Sequence, residues 1–92
     1  MLPVVSVIIP TYNRWPMIRE AVESVLGQGY RFSEVIVVDD GSTDHTTEQL
    51  TKYGSSIRVL SRQRSGVAAA RNYGASIARG LYMAFLDSDD LW

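Results

Sequence analysis

Residues 34–42 read Glu34-Val35-Ile36-Val37-Val38-Asp39-Asp40-Gly41-Ser42, and this stretch decides the fold. An unbroken β-branched run without polar alternation suits a strand buried on both faces, as in parallel sheets covered by helices. The strand then delivers two carboxylates into a turn where Asp and Ser cap backbone N–H groups and Gly supplies a positive φ. Upstream, Val4-Val5-Ser6-Val7-Ile8-Ile9 is a second run of the same kind. Pro10 is expected to end it, because proline offers no N–H to a ladder. Between the two runs Met17, Ile18, Ala21, Val22, Val25 and Leu26 recur at helical spacing, with Pro16 in the tolerated first turn and Gly27 and Gly29 as stops.

Downstream of the central stretch, Thr43 or Asp44 is placed to cap a short helix carrying Leu50 and Tyr53. Residues 57–60 form a third, weaker strand. Ser65-Gly66 opens a helix rich in Ala68, Ala69, Ala70, Ala75 and Ala78, with Gly80 as its stop. Residues 81–86 form a fourth strand, which delivers Asp87-Ser88-Asp89-Asp90. The order β-α-β-α-β-α-β implies an α/β chain with a parallel sheet joined by right-handed crossovers. All strands of such a sheet end on one edge. Residues 10–13, 39–42, 61–65 and 87–90 therefore gather there, where open α/β sheets bind ligands.

Composition narrows the classes. The chain has 92 residues, a size for one domain over 1–92, and no cysteine, so neither disulfides nor a Cys-based zinc site arise. A net charge of -1 and a pI of about 5.7 argue against a broad nucleic-acid surface. No apolar run approaches the ~18 residues of a transmembrane helix, and Met1-Leu2-Pro3 lacks the basic start of a signal peptide. The pattern G-x-x-x-x-G-K-[ST] is absent, as is G-x-G-x-x-G after the first strand, which argues against P-loop and dinucleotide-binding units.

Each edge motif has two readings on its own. Asp87, Asp89 and Asp90 repel one another, a repulsion relieved by a hard divalent cation or by solvation of an acidic turn. Asp39 and Asp40 either cap a turn or accept hydrogen bonds from a base N–H or sugar hydroxyls. Thr11-Tyr12-Asn13 is a capped loop or a floor on which a base stacks. Arg62 and Arg64 follow the third strand and Arg71 lies in the next helix, where each can pair with phosphate or with Asp. Arg79 reads as a solvent-facing helix residue, His45 as a surface residue, and Trp15 and Trp92 as packing residues.

Taken together, VSVIIPTYN, VIVVDDGSTD, GVAAARNYG and FLDSDD, in that order from Val5 to the end of the chain, resemble glycosyltransferase family 2, with its GT-A fold. The resemblance implies a three-layer α/β/α half-domain with strand order 3-2-1-4 and a nucleotide-sugar donor, commonly a UDP-sugar. The residues matching Pro10, Thr11, Tyr12 and Asn13 then line the nucleotide pocket. The match to Asp40 bonds the base with Asp39 beside it, and the match to Arg71 lies near base and diphosphate. Asp87-Ser88-Asp89 corresponds to the family's Asp-x-Asp motif, with Asp87 towards the ribose and Asp89, helped by Asp87, holding Mn2+ or Mg2+ at the diphosphate. A divalent ion there stabilises the departing nucleoside diphosphate as a Lewis acid, and an inverting transfer needs a general base for the acceptor hydroxyl.

The family carries a further half with the acceptor site and the catalytic base, so this chain is expected to be the donor half, with carbohydrate or lipid-linked acceptor and base served beyond Trp92 and turnover absent from the piece alone. The implied donor places the protein in the cytoplasm, at or near the membrane face. The alternative is a non-catalytic interaction module that keeps the fold. In either case the fourth strand is an edge, leaving Leu81, Met83, Phe85 and Leu86 under-covered, and open apolar edges pair with other chains. Self-association to a homo-oligomer is expected, with a mass by light scattering that rises across a concentration series; a strictly monomeric mass overturns it.

Overall fold

The computed structural model describes residues 3–13, 15, 17–27 and 33–86. In chain order they form β1 (Val5–Thr11), α1 (Met17–Gly27), β2 (Ser33–Asp39), α2 (Thr46–Leu50) continued by a 3-10 turn (Thr51–Ser56), β3 (Arg58–Ser61), α3 (Val67–Ile77) and β4 (Tyr82–Phe85). The strands make one parallel sheet in the order β3-β2-β1-β4, the order the resemblance implies.

Strand periodicity divides the core in two. Val7 and Ile9 of β1 and Val35 and Val37 of β2 face one way, onto Ile18, Val22 and Val25 of α1 and Leu50 of α2. Ile8, Ile36 and Val38 face the other way, onto Ala70 of α3. Neither inner strand has a solvent face, which is why both lack polar alternation. α3 lies close to the sheet because its inner face is small: a Cβ on Gly74 would stand 2.6 Å from Ile8 Cγ2. Met17 and Leu26, at the two ends of the α1 stripe, are exposed, so the buried stripe is narrower than the sequence pattern. Trp15 and Tyr53 pack partly buried against the first cluster, as expected for Trp15.

Several local expectations are corrected. Pro10 does not end β1; it lies inside the strand, opposite Val38. Residues of β1 alternate between neighbours: the carbonyls of Val4 and Ile8 accept from Tyr82 N and Leu86 N on the β4 side, that of Thr11 from Asp40 N on the β2 side. By that alternation the proline nitrogen falls on the β4 side, beyond the last pair, Ile8↔Phe85, so the β2 ladder loses no donor. Gly80 is not the stop of α3, which ends at Ile77. It is small because a Cβ there would meet Ser6 N at 2.7 Å. Arg79 accordingly lies past the helix rather than on it. α2 begins at Thr46, whose N–H is accepted by Asp44 Oδ1 at 2.9 Å. His45 is at the surface, its side chain 81% exposed.

Exposure on β4 matches the expectation of an uncovered edge. Leu81, Tyr82, Met83 and Phe85 are all exposed, Leu81 at 82%, while Leu86 is half-buried against the first cluster. Among the described residues no helix is long and apolar enough to cross a membrane.

At the end of the sheet where the strands begin, a polar latch ties four segments. Glu34 Oε2 accepts from Ser6 Oγ and from Arg79 N, both at 2.6 Å, and Oε1 accepts from Arg58 Nη1 at 3.3 Å. Ser6 Oγ in turn accepts from Gly80 N at 2.8 Å. Burial pushes the Glu34 carboxyl upward, but the combined donors of Ser6, Arg79 and Arg58 outweigh it and hold the group below its ordinary 4.5. A carboxyl lowered by folding stabilises above its unfolded value and loses that contribution as pH falls through the folded one. Stability to urea is therefore expected to decline as pH drops below about 4.5, and Glu34→Gln to cost about 1 kcal/mol near neutral pH while flattening that decline; an unchanged acid profile in the variant overturns this assignment.

Candidate functional site

Strand register brings three of the four edge segments together. Thr11 pairs with Asp39, and the ladder runs on as Asp40 N donates to Thr11 O and Arg62 N to Asp39 O, both at 2.9 Å. Residues 10–13, 39–42 and 61–66 thus line one edge side by side. β4 ends next to them, but the Asp87–Asp90 segment, including Asp87 and Asp89, lies outside the described residues.

Asp40 is the centre of this edge. Its side chain is fully buried. Oδ1 accepts from Ser65 N at 2.9 Å, and Oδ2 accepts from Gly66 N at 2.8 Å and Arg64 Nη1 at 3.0 Å. The Arg62 guanidinium stands 4.0 Å away. A buried carboxylate is tolerable only when paired and hydrogen-bonded, and here the loop between β3 and α3 supplies the partners. Gly41 follows with φ +84°, and a Cβ there would press within 2.9 Å of Arg64 N, so the turn needs glycine for both conformation and space.

Asp39 turns to a different set of partners. Oδ1 accepts from the Ser42 hydroxyl and from Ser42 N, and Oδ2 from Thr47 Oγ1 at 2.6 Å. Asn13, in the left-handed region with φ 49°, bridges the same turn: its Oδ1 accepts from Thr43 N at 2.7 Å and Asp44 N at 3.2 Å, and its own N–H donates to Ser42 Oγ at 2.9 Å. Asn tolerates that conformation better than most residues. Asp39 and Asn13 thus cap the turn at residues 42–44, Asp40 caps the distant 64–66 loop instead, and neither aspartate is a free surface acid.

Above this frame lies Tyr12. The Arg64 guanidinium carbon sits 3.6 Å from its ring centroid, a close cation–π stack. The Thr11 hydroxyl is buried and has no hydrogen-bond partner among the described residues. Arg71 is half-buried on α3, its Nε enclosed. Of the two arginines after β3, both turn to Asp40 rather than away from it. Arg62 also donates to Ala69 O at 3.1 Å and stands 5.1 Å from the Tyr73 ring. Sequence reasoning missed Ser65, Gly66 and Thr47 as partners of the paired aspartates; their only advance sign was that two adjacent acids after a buried strand require donors from elsewhere.

The chain belongs to glycosyltransferase family 2: residues 6–92 match the family model for Glycosyl transferase family 2. An uncharacterized glycosyltransferase of Rickettsia felis is 50% identical over 90 residues, covering 96% of this chain and 15% of the relative. The Escherichia coli protein WfaP, a UDP-Glc:alpha-D-GlcNAc-diphosphoundecaprenol beta-1,3-glucosyltransferase, is 44% identical over 93 residues, covering 99% of this chain and 37% of its own length. Among solved structures, S. aureus TarS 1-349 in complex with UDP-GlcNAc superposes with a TM-score of 0.87 at 37% identity, covering 94% of this chain and 26% of that one. The mannosyltransferase PcManGT from Pyrobaculum calidifontis, in complex with GDP-Man and Mn2+, gives a TM-score of 0.87 at 33% identity, covering 100% of this chain and 29% of that one. The chain therefore spans well under half the length of these relatives.

Removing the Asp40 carboxylate strands two loop N–H groups and a half-exposed arginine together. Asp40→Ala is expected to cost about 2–4 kcal/mol in urea unfolding and to raise amide exchange at Ser65 and Gly66 selectively; unchanged exchange there overturns the role assigned to Asp40.

Proposed function

We propose that this chain is the donor-binding part of a glycosyltransferase that transfers a sugar from a nucleoside diphosphate, most simply UDP, to an acceptor hydroxyl. The observation that carries this reading is the convergence of Tyr12, the paired aspartates and the arginine-bearing loop on one sheet edge, in a chain of this family. In it Pro10, Thr11, Tyr12, Asn13, Asp39, Asp40, Arg71 and Asp87 line the nucleotide, and Asp89 with Asp87 holds Mn2+ or Mg2+. Carboxylate oxygens are the donors such hard cations prefer. When bound, the ion supplies Lewis-acid stabilisation of the diphosphate leaving group. Inversion at the sugar carbon is the proposed course, with an acceptor, carbohydrate or lipid-linked, whose hydroxyl is activated by a base outside the residues named here. A cytoplasmic setting at the membrane face fits such a donor. The complexes of TarS with UDP-GlcNAc and of PcManGT with GDP-Man and Mn2+ support the donor class.

One observation favours a second reading, a non-catalytic interaction module: the described oxygens of Asp39 and Asp40 are already engaged inside the protein. Calorimetry separates the two. UDP is expected to bind the chain in the presence of Mn2+, and binding to fall away without the metal and in Asp89→Ala. A folded chain that takes up no UDP under any of these conditions overturns the donor reading in favour of the module.

A further inference from the structure

Within the donor-site reading, a base in this pocket has two tasks: to lay a flat face on Tyr12 and to donate an N–H to Asp40. In the structure one side chain already performs both. The guanidinium of Arg64 is planar, lies 3.6 Å from the Tyr12 ring centroid, and donates Nη1 to Asp40 Oδ2 at 3.0 Å. At that separation the two planar groups are in van der Waals contact, and nothing fits between them. We infer that Arg64 is a built-in stand-in for the base: its guanidinium occupies the base subsite, and a nucleotide enters by displacing it. The inference rests on the donor reading above and adds to it a residue and an entry step.

Three features make Arg64 displaceable rather than a fixed strut. Its side chain is 43% exposed, so the guanidinium has solvent to swing into. Asp40 is not stranded when it leaves, because Ser65 N and Gly66 N still donate at 2.9 and 2.8 Å and Arg62 remains 4.0 Å away. The loop backbone on either side of Arg64, by contrast, is held by Arg62 N donating to Asp39 O and by Ser65 N and Gly66 N donating to Asp40. Motion is thus confined to the side chain. Among the contacts to be given up are an ion pair whose arginine end is 43% exposed and whose carboxylate keeps two backbone donors, and a cation–π stack. A base that offers a flat face and an N–H replaces both; a ligand lacking either replaces only one.

The test compares UDP binding, with Mn2+ present, in the wild-type chain, Arg64→Ala and Arg64→Lys. With the competitor removed, Arg64→Ala is expected to bind about three- to tenfold more tightly than wild type. Arg64→Lys, which keeps the charge but not the plane, is expected to fall between. A second readout needs no nucleotide: the Arg64 Nε–H proton should be shifted upfield by the Tyr12 ring, lose that shift in Tyr12→Leu, and lose it in wild type when UDP saturates. Equal or weaker UDP binding by Arg64→Ala overturns the stand-in while leaving the donor reading intact, as does an unshifted Arg64 proton in the empty protein. Absence of UDP binding in folded wild type and folded Arg64→Ala alike overturns the donor reading, and this inference with it.

Discussion

A carboxylate placed at the end of a strand with no solvent face must find donors or destabilise the fold, and Asp40 meets that constraint by drawing in the loop between β3 and α3. Ser65 N, Gly66 N and Arg64 converge on it from 24 to 26 residues away in sequence. Much of the edge follows from this convergence. The loop's approach leaves no room for a side chain at position 41, so the turn after Asp40 needs a glycine. It carries Arg62 N to Asp39 O, prolonging the β2–β3 ladder by one bond. It also sets Arg64 over Tyr12. A polar group that burial would penalise becomes the fastener of the loop between β3 and α3, because two of its partners are backbone N–H groups that themselves need acceptors.

The opposite end of the sheet repeats the device. Glu34 takes donors from Ser6, Arg58 and Arg79, and Ser6 adds Gly80, pinning the α3–β4 connection beneath β1 and β2. Between the two carboxylates the inner strands hold only apolar contacts, with Ile8, Ile9, Ile36, Val37 and Val38 fully buried. Hydrophobic burial supplies the non-directional part of stability, and the two carboxylates supply register, since each is satisfied in only one alignment of its loops. Consistency between levels of this kind favours a single folded arrangement.

The sheet was legible because its inner strands carry no polar alternation, and strand type and direction follow from that together with the intervening helices. Their order could be had only from the resemblance. Pro10 was misjudged because sequence does not reveal which neighbour a given residue of a parallel strand faces. Gly80 was misjudged because its reason is a contact with Ser6, 74 residues away, not the helix before it. At the site, the types and the edge were legible: Tyr12, Asn13, Asp39, Asp40, Arg62 and Arg64 do line one rim. Their pairing was not, since whether Arg64 meets phosphate, solvent or Asp40 depends on how the loop from 61 to 66 folds back, and local propensity does not encode that.

Adjacent residues of a strand point to opposite sides, and this separates the paired aspartates into different tasks. Asp39 serves its own turn through Ser42 and Thr47, whereas Asp40 serves a distant loop. Under the donor reading, recognition at Asp40 is then an exchange of partners rather than the filling of an idle site. Such an exchange is close to neutral in hydrogen-bond count, as folding is when protein bonds replace bonds to water. It contributes less to affinity than an unoccupied acceptor would, and more to selection, because only a ligand matching the geometry of the displaced guanidinium recovers what was given up. Under that reading, the Tyr12–Arg64–Asp40 group would serve to select the base, and affinity would come mainly from the rest of the nucleotide.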